Sequence, residues 1–243
     1  MRINRIYVNT ALSIGENIVL DKAASNHVGK VLRLNLGAPL HLFNGDGYLY
    51  SATISSLDKN RVEVLVSDKQ SSTNESPLKI HLFQGVSRGD KMDLTFQKGV
   101  ELGIAKFTPI ITERCGVKLD RKRWQKKHEH WHKVIISACE QSGRNIIPQL
   151  SSVQTWQEAL EHFSSQSYFL DPHSDTSFRL LNKPDLAHEI QLWVGPEGGF
   201  SESEVAQIQD LKGTPVFLGP RILRTETAAL AAVASINALW GDF

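Results

Sequence analysis

Gln191-Leu192-Trp193-Val194-Gly195-Pro196-Glu197-Gly198-Gly199-Phe200-Ser201-Glu202-Ser203-Glu204 decides the reading of this chain. A short apolar run enters a loop rich in glycine, and Ser201 with Glu204 has the spacing of a capping box. The pattern predicts a strand at 191–194, a tight loop, and a helix at 202–211. Glycines at Gly195, Gly198 and Gly199 let backbone N–H and C=O groups approach a ligand closely, as an adenine edge requires. A plain strand-to-helix turn would use the same residues.

The architecture recurs downstream. Strand 215–218 runs into Gly219-Pro220-Arg221-Ile222-Leu223-Arg224-Thr225-Glu226-Thr227, which opens a helix at 226–240. Neither loop has the spacing of a phosphate loop or of a dinucleotide-binding turn, so a ligand with an adenosine part and no phosphate suits them better than a triphosphate or NAD. Ala228, Ala229, Ala231, Ala232 and Ala234 give the last helix small side chains, either for close backbone approach or for helix propensity alone. Trp240 and Phe243 at its end bury against the core or against a second subunit.

Working outward, strands at 79–84, 108–112, 168–170, 191–194 and 215–218 alternate with helices at 91–102, 123–142, 155–162, 202–211 and 226–240. This rhythm predicts an α/β fold with a mostly parallel sheet covered by helices. Ligands in such sheets sit beyond the carboxyl ends of strands. The polar, aperiodic stretch 67–77, ending in Pro77, reads as a linker that divides the chain into 1–70 and 71–243. In the first part, strands at 5–8, 16–20, 40–43, 48–54 and 61–66 and one helix from Asp21 to about Leu32 predict a small β-barrel. Asn44-Gly45-Asp46-Gly47 and Asp58-Lys59-Asn60 supply its hairpin turns.

The 243 residues, 41% of them hydrophobic, suffice for one large core or two smaller ones. A formal net charge of +1 excludes a global basic field, so any nucleic-acid contact must use local patches. Two cysteines, Cys115 and Cys139, are too far apart in sequence for a C-x-x-C site and point to a reducing compartment. Met1-Arg2-Ile3-Asn4-Arg5 begins no apolar leader, and no run approaches the roughly 20 apolar residues that span a bilayer. We read a soluble, cytoplasmic protein with no membrane partner.

Two further patterns compete on the long helix. Arg121-Lys122-Arg123-Trp124-Gln125-Lys126-Lys127-His128 places positive charge and an aromatic at its head, as RNA phosphate contacts require, although a solvated helix face reads the same way. His128-Glu129-His130-Trp131-His132 spells the H-E-x-x-H of zinc proteases. It follows a strongly basic run and has no third ligand at a recognised spacing, so no metal is assigned.

Four blocks carry a family resemblance: Gln84-Gly85-Val86-Ser87-Arg88-Gly89-Asp90-Lys91 with Lys98-Gly99-Val100-Glu101-Leu102-Gly103; Ala138-Cys139-Glu140-Gln141-Ser142-Gly143-Arg144; and the two glycine loops. The second part resembles the SPOUT superfamily of knotted methyltransferases, and within it the bacterial family that methylates uridine N3 in 16S ribosomal RNA. Val31-Leu32-Arg33-Leu34 and Phe43-Asn44-Gly45-Asp46-Gly47 are similar to that family's PUA-like RNA-binding domain. Cys115, after Glu113-Arg114, stands where a small hydroxyl residue is expected.

The resemblance implies a C-terminal trefoil knot, a homodimer, ribosomal RNA within the small subunit as partner, and S-adenosylmethionine as cofactor. It implies cofactor contacts from Leu170, Val194, Gly195, Pro196, Glu197, Gly198, Gly199, Leu218, Gly219, Ile222, Leu223 and Thr225. A uridine N3 carries a proton at neutral pH, so the site must supply a base or stabilise the uridine anion. Arg224 and Arg88 are candidate donors to that anion, or phosphate anchors. Glu140 and Glu226 are candidate bases, although Glu140 has the helical spacing to pair with Arg144. Arg33, Arg121, Arg123, Lys126, Lys127 and Arg144 are candidate RNA contacts. A non-catalytic RNA-binding or ribosome-assembly protein on the same scaffold is the competing function, but it would have no need of the two glycine loops.

Overall fold

The computed structural model describes residues 3–58, 61–71 and 74–243. Met1 and Arg2, the expected turn residues Lys59 and Asn60, and Ser72 and Thr73 of the expected linker lie outside the described residues. The chain forms two compact units. One takes in Met1–Glu75 with Cys139–Ile147, the other Ser76–Ala138 with Pro148–Phe243.

In the first unit, strands β1 (Asn4–Tyr7), β2 (Asn17–Val19), β3 (Pro39–Phe43), β4 (Tyr48–Asp58) and β5 (Arg61–Ser71) form one sheet in the order β1-β3-β4-β5-β2. β1 runs parallel to β3, and the other neighbours are antiparallel. Alternating inward residues such as Leu40, Leu42, Ala52, Ile54, Val62, Val64 and Val66 build its core with Val28, the period-2 arrangement that a half-buried sheet dictates. Both long strands run past their expected ends. Residues 68–71, expected as linker, pair with Tyr48–Ser51 of β4, and Ser67 falls at a bulge between them and Val66. Lys69 lies with Nζ 3.8 Å from the Tyr48 ring centroid, a cross-strand cation–π contact that a polar stretch read in isolation does not reveal.

The expected helix starts as predicted, with the Asp21 carboxylate accepting the Ala24 N–H at 2.8 Å. After α1 (Lys22–Asn26) the chain widens into a π-helical turn (His27–Val31), in which Leu32 N–H reaches the His27 carbonyl. Arg33 at φ 51° leaves the helix through the left-handed region.

Residues from the second half of the chain complete this unit. The Glu75 carboxylate accepts the N–H groups of Asn145 and Ile146 and pairs with the Arg144 guanidinium at 2.8 Å. Tyr7 N–H donates to Glu140. Burial pushes the Cys139 thiol up to about 12, so it packs as an un-ionised side chain.

In the second unit, β6 (Ile80–Gly85), β7 (Lys106–Ile111), β8 (Gln149–Leu150), β9 (Gln154–Thr155), β10 (Ser167–Leu170), β11 (Ile190–Val194) and β12 (Thr214–Val216) form a parallel sheet. Its order is β12-β10-β11-β6-β7-β8, with β9 also paired to β7. The central strands β6 and β11 are buried along their whole length, as parallel strands covered on both faces must be. Phe83 and Trp193, in register on these strands, stack at 4.0 Å within a cluster completed by Trp156, Phe169, Phe200 and Ile208.

Helices α2 (Lys91–Glu101), α4 (Trp156–Leu160), α5 (Glu202–Asp210) and α6 (Thr225–Trp240) belong to this unit, as does α3 (Arg121–Ser142) up to Ala138. Gly99 lets α2 settle on the sheet, because a Cβ there would lie 2.8 Å from Phe107. Among the described residues, no helix is long and apolar enough to cross a membrane.

Candidate active site

The loop after β11 is shaped by close backbone contacts. Gly199 N–H donates to the Pro196 carbonyl, and Gly199 takes φ 69°. A Cβ on Gly195 would sit 2.9 Å from the Gly199 carbonyl carbon, and one on Gly85 would sit 2.3 Å from Pro196 N. Only glycine fits where the end of β6 meets this loop. The capping box forms as expected: Ser201 N–H donates to Glu204 and Glu204 N–H to Ser201 Oγ.

Glu197 leaves this loop to hold the segment after β6. Its Oε1 accepts Arg88 N–H at 2.9 Å and Lys91 Nζ at 3.0 Å. Burial pushes the Glu197 carboxyl upward, but the Arg88 and Glu197 N–H groups and the Lys91 ammonium outweigh it and hold it below the ordinary carboxylate range.

The loop after β12 turns at Gly219, φ 106°, and leaves Ile222 84% exposed before entering α6. Thr225, in the first turn of α6, is buried and donates to the Gly195 carbonyl, while Gln84 Nε2 donates to Thr225 Oγ1. One relay of side chain and backbone therefore ties together β6, the first loop and the second.

These loops enclose a cavity of about 840 Å³ at the carboxyl ends of β10, β11 and β12. All twelve residues expected at the cofactor line it, and so does Arg224. The lining is apolar at Leu170, Val194, Leu218 and Leu223, with carboxylates at Asp171, Glu197 and Glu202. Backbone polar groups in glycine turns, an apolar slot and nearby acids fit a zwitterionic sulfonium nucleoside. Among the described residues lining the cavity, neither loop has the glycine spacing with Lys and Ser/Thr of a phosphate cradle.

Other expected site residues lie elsewhere. Arg88 points its guanidinium at the Gly116 carbonyl, at 3.2 Å from Nη2, and does not line the cavity. Glu226 is buried in α6, and its Oε2 has no hydrogen-bond partner among the described residues. Glu140 belongs to the first unit, where burial raises its carboxyl above the ordinary range although Tyr7 N–H, His27 and Arg5 act the other way. Arg144 is 5% exposed and occupied by Glu75, a partner other than the expected Glu140, which leaves it little surface for a phosphate.

Arg33, Arg121, Arg123 and Lys126 are exposed, whereas Lys127 is half-buried with its ammonium 5.8 Å from the Trp131 ring. In the H-E-x-x-H segment, His128 Nε2 faces the Leu150 carbonyl at 3.2 Å. A carbonyl only accepts, so that nitrogen carries the proton and is not a lone pair for a metal.

Sequence reasoning missed Lys91, Arg114 and the 171–173 segment, all of which line the cavity. Each follows a parallel strand, directly or at the start of the next helix, and position past a strand's carboxyl end is the signal that would have found them.

Comparison with known proteins gives the site its context. The family described as RNA methyltransferase domain matches residues 74–237, and the RNA methyltransferase PUA domain matches 20–67. The chain is 35% identical over 244 residues to ribosomal RNA small subunit methyltransferase E of Buchnera aphidicola subsp. Schizaphis graminum, covering 99% of this chain and 98% of that protein. It is 33% identical to the Bacillus subtilis protein of the same name, covering 87% and 86%. The crystal structure of a ribosomal RNA small subunit methyltransferase E from Neisseria gonorrhoeae bound to S-adenosyl methionine superposes with a TM-score of 0.93, at 38% identity over all of both chains.

Proposed function

This chain belongs to the RNA methyltransferase family, and from that premise we propose that it methylates N3 of a uridine in 16S ribosomal RNA of the small subunit, with S-adenosylmethionine as methyl donor. The convergence of both glycine loops on one cavity carries the reading. When bound, the cofactor supplies an electrophilic methyl group on a sulfonium. The chain's own residues have three tasks: to hold that group by backbone atoms, to place the nucleobase in line, and to lower the cost of an anionic nucleophile.

Backbone groups of Gly195–Gly199 and of Leu218–Leu223 would bind the adenosine part, with Leu170, Val194 and Leu223 excluding water around it. Arg224, exposed at the mouth and the N-cap of α6, is the donor best placed to stabilise negative charge on the uridine oxygens. Arg33, Arg121, Arg123 and Lys126 offer exposed cations for phosphates. We further propose, on the resemblance, that the segment through the second loop and α6 forms the trefoil knot, that the first unit closes as a PUA-like barrel, and that the protein works as a cytoplasmic homodimer.

Calorimetric titration with S-adenosylmethionine, paired with a turnover assay of Arg224→Ala, tests the proposal. Cofactor binding should survive in the variant and methylation should be lost. Full turnover by the variant would remove Arg224 from the reaction, and absence of cofactor binding by the wild type would remove the proposal itself.

A further inference from the structure

Arg114 follows β7, on the loop that faces the first glycine loop, and lines the cavity. Its backbone is fixed from the preceding residue: Glu113 N–H donates to Glu204 Oε1 at 2.8 Å, and Glu204 Oε2 accepts Ser201 N–H at 2.8 Å. The buried Glu204 thus joins this loop to the capping box of α5. Arg114 then lies across Gly198, where an added Cβ would sit 3.0 Å from the Arg114 Cβ. Its Nη1 donates to the Gly198 carbonyl at 3.1 Å.

A guanidinium has five N–H donors, and the described residues take one of them. Among the described residues no carboxylate stands within ion-pair distance of Arg114, although its charge helps hold the adjacent Glu113 carboxyl down, and the neighbouring Lys91 is spent on Glu197. The cavity's proposed cofactor offers Arg114 a repelling sulfonium and one carboxylate, and affinity for the cofactor alone separates that carboxylate from an RNA phosphate as the partner of the free edge. The free edge of a planar fork matches a phosphate.

We infer that Arg114 couples RNA engagement to the cofactor loop, donating one N–H to Gly198 and its free edge to a phosphate of the RNA substrate. This rests on the reading that the chain is an RNA methyltransferase. A residue that grips both partners makes each favour the other's binding, and the coupling is reciprocal. Arg114 is a positioning residue here and takes no part in proton or methyl transfer.

The test compares wild type, Arg114→Ala and Arg114→Lys, using small ribosomal subunits from cells lacking this protein, with S-adenosylhomocysteine as the unreactive cofactor. Arg114→Ala should raise KM for subunits about tenfold, the loss of one charge-assisted hydrogen bond. It should also flatten the log–log salt dependence of binding by about 0.7 to 0.9, the loss of one phosphate contact. Its affinity for S-adenosylmethionine alone should stay near wild type, and saturating S-adenosylhomocysteine should no longer tighten subunit binding. Arg114→Lys keeps the charge and should keep the salt slope while losing that tightening.

Unchanged KM and salt slope in Arg114→Ala would overturn the inference. So would a matched loss of cofactor and subunit affinity, which marks a contact to the cofactor's carboxylate or a mere prop for the loop. Failure of the wild type to bind cofactor or methylate would instead overturn the functional reading beneath it.

Discussion

Thr225 donates its hydroxyl to the Gly195 carbonyl at 2.5 Å while accepting Gln84 Nε2 at 2.9 Å. The start of the last helix is thereby bound to the first glycine of the other loop. Thr225→Val keeps the volume and removes the relay, leaving a buried carbonyl unpaired at a cost of about 1–3 kcal/mol. Thermal unfolding should show that loss, and calorimetry should show weaker S-adenosylmethionine binding. Thr225→Ser should restore both. Equal cofactor affinity in the valine variant would mean that the relay does not shape the cavity.

Gly85 and Gly219 are glycines for different reasons, and alanine should separate them. At Gly85 the added Cβ meets Pro196 N at 2.3 Å and the Gly195 carbonyl carbon at 2.7 Å, so two backbones must part. Overpacking of this kind costs about 1–3 kcal/mol or more. At Gly219 nothing lies within 4 Å, and the cost is the φ of 106° alone. Denaturation midpoints should fall further for Gly85→Ala than for Gly219→Ala, while the cofactor affinity of both falls. A harmless Gly85→Ala would contradict the close approach.

Removing the carboxylate of Glu75 takes an ion-pair partner from Arg144 and the acceptor from two backbone N–H groups of the first unit. Breaking a buried pair by deleting one partner costs on the order of 3 kcal/mol. Lys98–Glu101, an exposed pair one helical turn apart, sets the contrast, and Lys98→Ala should cost under about 1 kcal/mol. Urea unfolding of Glu75→Ala and Lys98→Ala reads the difference directly. Similar midpoints would show that Glu75 does not fasten the 139–147 segment.

His81 is buried, with Nδ1–H donating to Glu189 at 2.7 Å and Nε2 accepting the Thr108 hydroxyl at 2.8 Å. Burial holds it below the ordinary histidine value of 6.5, with Lys106 and His162 acting in the same direction and Glu189 opposing them. The unfolded chain therefore takes up a proton near pH 6.5 that the native state refuses. Stability is full above that pH and declines as pH falls below it. His81→Gln should flatten the decline between about pH 7 and pH 5 in unfolding midpoints. An identical slope in the variant would place the acid sensitivity elsewhere.

Local chemistry made much of this fold readable. The capping box at Ser201 and Glu204, the Asp21 cap and the strand-loop-helix rhythm each rest on neighbours within a few residues, and the structure contains them. What escaped depends on partners far along the chain. Residues 68–71 are strand because Tyr48–Ser51 lies opposite them, and Cys139–Ile147 joins the first unit because Glu75 and Tyr7 bind it. Arg144 reads in sequence as a solvent-facing RNA contact for the same reason, since its partner Glu75 is 69 positions away.

At the site, the glycine loops were legible because turn chemistry is local. Arg114 was not, because its role follows only from its crossing over Gly198. A polar residue just past a parallel strand looks like any other loop residue until the sheet order brings that loop to the cavity.

Mass spectrometry of 16S ribosomal RNA nucleosides from cells lacking this protein tests the central claim most directly. The account predicts that N3-methyluridine disappears, returns when this chain is supplied, and stays absent when Arg224→Ala is supplied in its place. N3-methyluridine at wild-type levels in the deficient cells, or its failure to return with the intact chain, would contradict it.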